Sequence, residues 1–264
     1  MRRLSLALIA AVSTVAFTQI APAADLPVKA PAKMLSPPVL NWAGFYGGIN
    51  GGYGWDDPGD ILINETVNGT YFHGPTNFGS IRMDGGFIGG QLGYNWQFNN
   101  VVAGLEGDIQ FSGIEGNLDA SRTYLGGGNP TQTLSASGKL DWFATIRGRL
   151  GWLVTPAVLL YGTGGVAFGD TQYNWAWNDS VGFRATGTAS NKKTGWVAGG
   201  GVEWMFMPRW SVKVEYQYLD FGSVNPATMP ELFGAGGAPT AYAITPSGLK
   251  SKFNTVRAGL NYHF

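Results

Sequence analysis

From Trp42 to Phe264 apolar and polar residues alternate with a period of two, the pattern of strands that bury one face in an apolar medium. Eight runs carry it: 43–55, 85–98, 101–114, 139–154, 157–169, 195–206, 210–222 and 252–264. Each is dense in glycine, aromatic and β-branched residues. In the last run Val256, Ala258, Leu260, Tyr262 and Phe264 share one face, and Thr255, Arg257, Gly259, Asn261 and His263 the other. Run 210–222 sets Trp210, Val212, Val214, Tyr216 and Tyr218 against Ser211, Lys213, Glu215, Gln217 and Leu219. Run 139–154 sets Leu140, Trp142, Ala144, Ile146, Leu150 and Trp152 against Asp141, Phe143, Thr145, Arg147 and Arg149. Run 157–169 alternates least cleanly.

The connections alternate in length. Asn99-Asn100, Thr155-Pro156 and Met207-Pro208-Arg209 read as tight turns, while 56–84, 115–138, 170–194 and 223–251 read as long polar loops. Short turns at one end and long loops at the other is the layout of a membrane barrel, with both chain ends on the short-turn, periplasmic side. The predicted fold is all-β: an eight-stranded antiparallel transmembrane β-barrel.

Which face meets lipid is decided by the aromatic residues. The apolar faces hold no charge; the opposite faces hold Glu106, Asp108, Asp141, Arg147, Arg149, Glu203, Lys213, Glu215 and Arg257. A soluble barrel with its apolar face inward shows the same alternation. Here, however, large rings collect at both strand ends: Trp42, Trp96, Phe98, Trp152, Trp204, Phe206, Trp210 and Phe264 at one, Tyr53, Trp55, Phe111, Trp142, Phe168, Trp196 and Tyr218 at the other. Two bands match two bilayer interfaces, and so many rings would overfill one small lumen. The charged face therefore points inward. An eight-stranded lumen is filled by side chains, and charges buried there must pair. Five acids and four bases predict an ionic plug, with Gly48, Gly52, Gly93, Gly199, Gly201 and Gly259 leaving room for the arginines.

Composition narrows the picture further. Charged residues are 13% of the chain and the formal net charge is zero, which removes the basic surplus of a nucleic-acid binder. There is no cysteine, so disulfides, thiolate chemistry and a lipidated cysteine are excluded. Arg2 and Arg3, the apolar stretch Leu4–Val15 and Ala21-Pro22-Ala23 read as a signal peptide cleaved after Ala23. The expected organisation is a signal peptide over 1–23, a Pro-rich periplasmic linker over 24–41 and an outer-membrane barrel over 42–264.

Catalytic chemistry finds little support. The two histidines, His73 in the first long loop and His263 at the last strand, belong to opposite ends of a barrel. Ser180 beside Asp179 has no evident histidine partner. Gly162-Thr-Gly-Gly165 lacks the Lys-Ser/Thr of a nucleotide loop, and Asp56, Asp57 and Asp60 lack an ordered ligand spacing. The expectation is no enzyme, no metal and no cofactor.

The motifs together resemble a known group: the RopB-like small outer-membrane proteins of alphaproteobacteria, with an OmpA-like β-barrel. The segments that carry the likeness are Asn41–Tyr53 (NWAGFYGGINGGY), Gly89–Gln97 (GGQLGYNWQ), Trp142–Trp152 (WFATIRGRLGW), Leu160–Ala167 (LYGTGGVA), Lys213–Tyr218 (KVEYQY) and Val256–Phe264 (VRAGLNYHF). The likeness implies outer-membrane residence, a part in envelope integrity and exposure to hosts. Its closing segment implies that Leu260, Tyr262 and Phe264 are read by the outer-membrane insertion machinery. The expected partners are outer-membrane lipid and lipopolysaccharide, that machinery, and host or surface ligands of the long loops, with the barrel a monomer. The alternative function is a narrow porin-like channel for small solutes or ions.

Overall fold

The computed structural model describes residues 40–67, 70–123, 131–223, 229–233 and 238–264. The expected signal peptide, its cleavage residues Ala21 and Ala23, and the linker up to residue 39 lie outside them. Among the described residues twelve strands form one antiparallel sheet. Eight of them close a ring: β1 (Gly44–Asp56), β4 (Asp84–Phe98), β5 (Val101–Thr123), β6 (Thr131–Thr155), β7 (Val158–Asp179), β8 (Phe183–Met207), β9 (Trp210–Ser223) and β12 (Lys250–His263). Each neighbour in that order is hydrogen-bonded, and β1 shuts the ring on β12 from Tyr46 opposite His263 to Asp56 opposite Phe253. Closure leaves no sheet edge inside the membrane, where an unpaired backbone amide has no water to bond. The short turns are tight. Asn99 takes the left-handed backbone (φ 53°) that asparagine tolerates better than most residues, and Pro156 and Pro208 occupy the next two turns.

The eight predicted runs fall on the eight ring strands, but the long loops are largely strand. β5 and β6 pair from Thr123 and Thr131 downward, and β7 and β8 meet across a turn at 180–182. The two remaining connections carry β2 (Leu62–Val67) with β3 (Thr70–Asn77), and β10 (Met229–Phe233) with β11 (Ala238–Ser247). These hairpins extend the wall beyond the ring in the order β8–β10–β11–β2–β3. The reason is visible in the buried positions. Leu134, Ala136, Tyr173, Trp175, Trp177 and Ala185 alternate inward and pack with Ile61, Ile63, Ile244 and Leu249. Enough apolar surface is buried to hold segments rich in Ser, Thr and Asn in an extended ladder.

The barrel is polar inside and apolar outside at membrane level. Ile49, Leu92, Ile146 and Leu150 are at least 60% exposed, whereas Glu106, Arg147, Lys213 and Arg257 are at most 3% exposed. An exposed apolar belt of this extent belongs against lipid. No helix among the described residues is long and apolar enough to cross a membrane.

The lumen is layered. At the short-turn end Trp42, Val102, Leu153, Leu159, Tyr161 and Met205 pack together with Leu40. The middle holds the charges. Toward the outside the interior turns apolar again, with Phe87, Ile114, Leu140, Phe143, Leu219, Phe221 and Phe253. Three expectations are corrected here. Trp42 is not in the lipid-facing aromatic band: it is fully buried, and its indole Nε1 donates to the Pro156 carbonyl at 3.1 Å, corking the lumen from below. Leu140 faces inward and Asp141 leaves the lumen. A β-bulge causes both, because β6 pairs with β7 through Leu140 and Trp142 while skipping Asp141. One extra residue flips the alternation above it.

Candidate functional site

The charge layer starts from register. Glu106 on β5 lies opposite Arg147 on β6, Glu203 on β8 opposite Lys213 on β9, and Glu215 on β9 opposite Arg257 on β12. Each pair is an opposite-charge cross-strand pair on the lumen face. Ring closure then brings the pairs together across the lumen. Arg147 is the hub: Nη2 meets Glu106 and, at 2.8 Å, Asp108; Nη1 donates to Glu215 at 2.8 Å; Nε donates to the Thr145 hydroxyl at 2.8 Å. Lys213 reaches over the lumen to both Glu106 oxygens, at 2.7 and 2.9 Å, rather than to Glu203 opposite it. Arg257 binds Glu215 at 2.5 Å and lies 3.4 Å from Asp108. Arg149 binds Glu203 at 2.6 Å.

Of the nine predicted charges, eight meet in this layer. The ninth, Asp141, sits at the bulge on the outer side, 41% exposed, 3.1 Å from Lys139 and accepting from Gln172 at 2.8 Å. Removing it from the layer makes the balance even, four carboxylates to four cations. Every oxygen of the four carboxylates has a partner, because neutral groups fill the gaps. The Tyr46 hydroxyl donates to Glu106 at 2.7 Å, Tyr161 to Glu215 at 2.6 Å, Thr145 to Asp108 at 2.6 Å, and Ser211 and Asn261 to Glu203 at 2.6 and 2.8 Å. The guanidinium of Arg149 stacks over the Tyr161 ring at 4.2 Å.

Tyr46 and Tyr161 escaped the sequence reading, yet a signal for them existed in the lumen-facing glycines. A Cβ on Gly93 would stand 2.4 Å from the Tyr46 ring, and one on Gly201 would stand 2.9 Å from the Tyr161 hydroxyl. Gly93 and Gly201 thus make room for tyrosines that hold the charges, whereas Gly48, Gly52, Gly199 and Gly259 lie against Asn261, Phe87, Gln217 and Gln91 rather than against arginine side chains. Gly93→Ala therefore forces Tyr46 away from Glu106. The expected loss is about 1–3 kcal/mol of unfolding free energy in detergent–urea titrations, and an unchanged midpoint would remove Tyr46 from the network.

A match to the family model "Outer membrane protein beta-barrel domain" spans residues 5–264. The chain belongs to that family. Among its relatives, the 31 kDa outer-membrane immunogenic protein of Brucella melitensis is 36% identical over 262 residues, covering 94% of this chain and 95% of that one. The 22 kDa outer membrane protein of Rhizobium leguminosarum bv. viciae is 32% identical over 188 residues, 70% of this chain and 67% of that one. Among solved structures, OprG of Pseudomonas aeruginosa aligns at 14% identity and a TM-score of 0.44, over 85% of this chain and 99% of that one. The protein is thus an outer-membrane barrel of the small alphaproteobacterial kind, resident in the outer membrane of a Gram-negative cell.

In this outer-membrane barrel the other candidate residues take structural positions. Asp179 closes the β7–β8 turn, accepting from the amides of Val181, Gly182 and Phe183, and Ser180 accepts from the Thr131 amide at 3.0 Å. His73 lies on β3, opposite Glu65 in register, at the far end from His263. Ser211, His263 and Glu203 form a cluster the sequence did not announce. Its geometry is not that of a relay: the same imidazole Nε2 faces Ser211 at 3.0 Å and Glu203 at 3.8 Å, whereas a triad uses both ring nitrogens. Trp42 stands edge-on over the imidazole, 5.7 Å between centroids. Among the described residues no group of three or more His, Cys, Asp or Glu is placed to hold a metal. At the C-terminus Leu260, Tyr262 and Phe264 lie on the outer face. The Phe264 amide donates to the Phe45 carbonyl at 3.0 Å, and its ring packs edge-on against Tyr262 at 5.3 Å.

Proposed function

We propose that this outer-membrane barrel is a closed structural element of the envelope that acts through its outward surface and neither conducts nor catalyses. The observation behind it is the charge layer, whose side chains are at most 3% exposed and which lies between two apolar layers of the same lumen. An ion crossing would have to break paired buried charges on one side and shed its water against apolar residues on the other. The Brucella relative is named for its place in the outer membrane and its immunogenicity, and the Rhizobium relative for its place in the outer membrane.

On this reading the belt around Ile49, Leu92 and Ile146 is solvated by outer-membrane lipid and lipopolysaccharide, and the barrel stands as a monomer. The exposed C-terminal face of Leu260, Tyr262 and Phe264 is what the insertion machinery reads, and the walls above the membrane meet host or surface ligands. The test is single-channel recording of the protein in a planar bilayer. The expected record is silent while heat-modifiable gel mobility confirms insertion. Steady ion-selective openings would overturn the reading in favour of a narrow porin-like channel with Glu106, Arg147, Lys213 and Glu215 as its selectivity residues.

A further inference from the structure

Above the lipid belt β5, β6, β7 and β8 continue as a four-stranded wall, and register fixes what its outward face presents. One row across the strands is Asp119, Ser135, Ala176 and Thr186; the row nearer the membrane is Asn117, Ser137, Asn174 and Thr188. These side chains are short, and Asn117, Asp119, Ser135, Ser137, Asn174 and Ala176, together with Ala136 and Trp175, line a shallow, open recess of about 360 Å³. Among the described residues, no hydrogen bond within the protein engages the side chains of Ser135, Ser137, Asn174, Thr186 or Thr188. Next toward the membrane come Glu115 and Lys139, opposite one another in register, with Lys139 paired to the outward Asp141 at 3.1 Å, and beneath them the lipid-facing Phe111 and Trp142.

We infer that this wall docks the sugar headgroups of the glycolipid in the surrounding outer leaflet; the inference rests on the proposed role of the outward walls. Continuity carries it. The same face of the same strands contacts lipid below and is hydroxyl- and amide-bearing above. A glycolipid whose acyl chains stand against Phe111, Trp142 and Ile146 has its headgroup beside Lys139 and its sugars at the recess. Serine and threonine hydroxyls and asparagine amides both donate and accept, as a sugar hydroxyl requires. The two rows hold no aromatic, methionine or arginine residue, the types that mark the core of a protein-binding patch. Neighbouring strands stand about 4.8 Å apart, so donors and acceptors repeat across the face at a spacing that several hydroxyls of one saccharide can meet together.

The experiment uses protein extracted from outer membranes and reconstituted into phosphatidylethanolamine vesicles. The vesicles contain either rough lipopolysaccharide with an intact sugar core or lipid A alone, and retained glycolipid is counted by native mass spectrometry. The triple variant Ser137→Ala/Asn174→Ala/Thr188→Ala is expected to hold sugar-bearing glycolipid about tenfold more weakly, as loss of a few hydrogen bonds implies. It is expected to match the parent on lipid A. Ser137→Thr/Asn174→Gln, which keeps the hydrogen-bonding groups, is expected to retain most of the binding. Equal retention of sugar-bearing glycolipid by parent and triple variant, or equal loss on lipid A, would overturn the inference. Conductance of the same vesicles keeps the two failures apart. Openings sink the closed-barrel reading, whereas a silent barrel with sugar-independent binding sinks only the docking site.

Discussion

Arg147→Leu is expected to lower the unfolding free energy of the reconstituted barrel by about 3–5 kcal/mol, the cost of stripping one partner from a buried ion-pair network. The magnitude follows from what the guanidinium touches. It bonds three carboxylates, Glu106, Asp108 and Glu215, and the Thr145 hydroxyl, with no exposed surface. Leucine leaves four buried carboxylates facing three cations. Lys213 and Arg257 still hold Glu106 and Glu215, while Asp108 keeps Arg257 at 3.4 Å and the Thr145 and Gln110 hydrogen bonds. Adding Glu215→Gln restores an even balance and is expected to recover part of the loss. Urea titration in lipid vesicles, followed by tryptophan fluorescence, measures both. A single variant within about 1 kcal/mol of the parent would mean that the layer is not what holds the wall together.

Ile146→Arg tests the opposite face. Ile146 is 63% exposed, pairs with Gly107 and Val166, and sits between the Trp142 and Trp152 rows, at the middle of the apolar belt. An arginine there costs about 2–4 kcal/mol because its charge has no aqueous or ionic partner within reach. Leu150→Arg serves as the depth control. Its Cα partner on β5 is Ala103, one outward position from the Val101–Trp152 pair, so the side chain can snorkel to the interface and the cost falls to about 1 kcal/mol or less. The expected order is Ile146→Arg well above Leu150→Arg in lost stability and in refolding yield. The reverse order would show that the belt is placed at the wrong height.

How far the chain could be read in advance depends on the range of the interaction that sets each feature. Ring strands were legible because side chains alternate about a strand whatever it pairs with, and a chain bathed in lipid must keep charge off one side of that alternation. The same alternation puts Glu106, Asp108, Arg147, Arg149, Glu203, Lys213, Glu215 and Arg257 on the buried side of the wall. Asp141 was misplaced because a bulge is a property of a pair of strands: nothing in Leu140-Asp141-Trp142 says that β7 will skip the middle residue. The segments 115–138 and 170–194 read as loops because Ser, Thr and Asn dominate their outward positions. Their inward Leu134, Tyr173, Trp175 and Trp177 gain meaning only when the β2–β3 and β10–β11 hairpins arrive to bury them.

The sequence by itself determined the class of the molecule: strands of period two, apolar toward lipid and charged within, with short turns at one end. These are consequences of local backbone geometry and of the solvent on each side. Only the tertiary structure decided which charges meet, why Lys213 prefers Glu106 to the Glu203 opposite it, that Trp42 enters the lumen, and that the outer half of the lumen is apolar. Those outcomes depend on charges as far apart in the chain as Glu106 and Lys213, 107 positions, being brought within 3 Å by closure of the ring, and alternation along one strand carries no information about that distance.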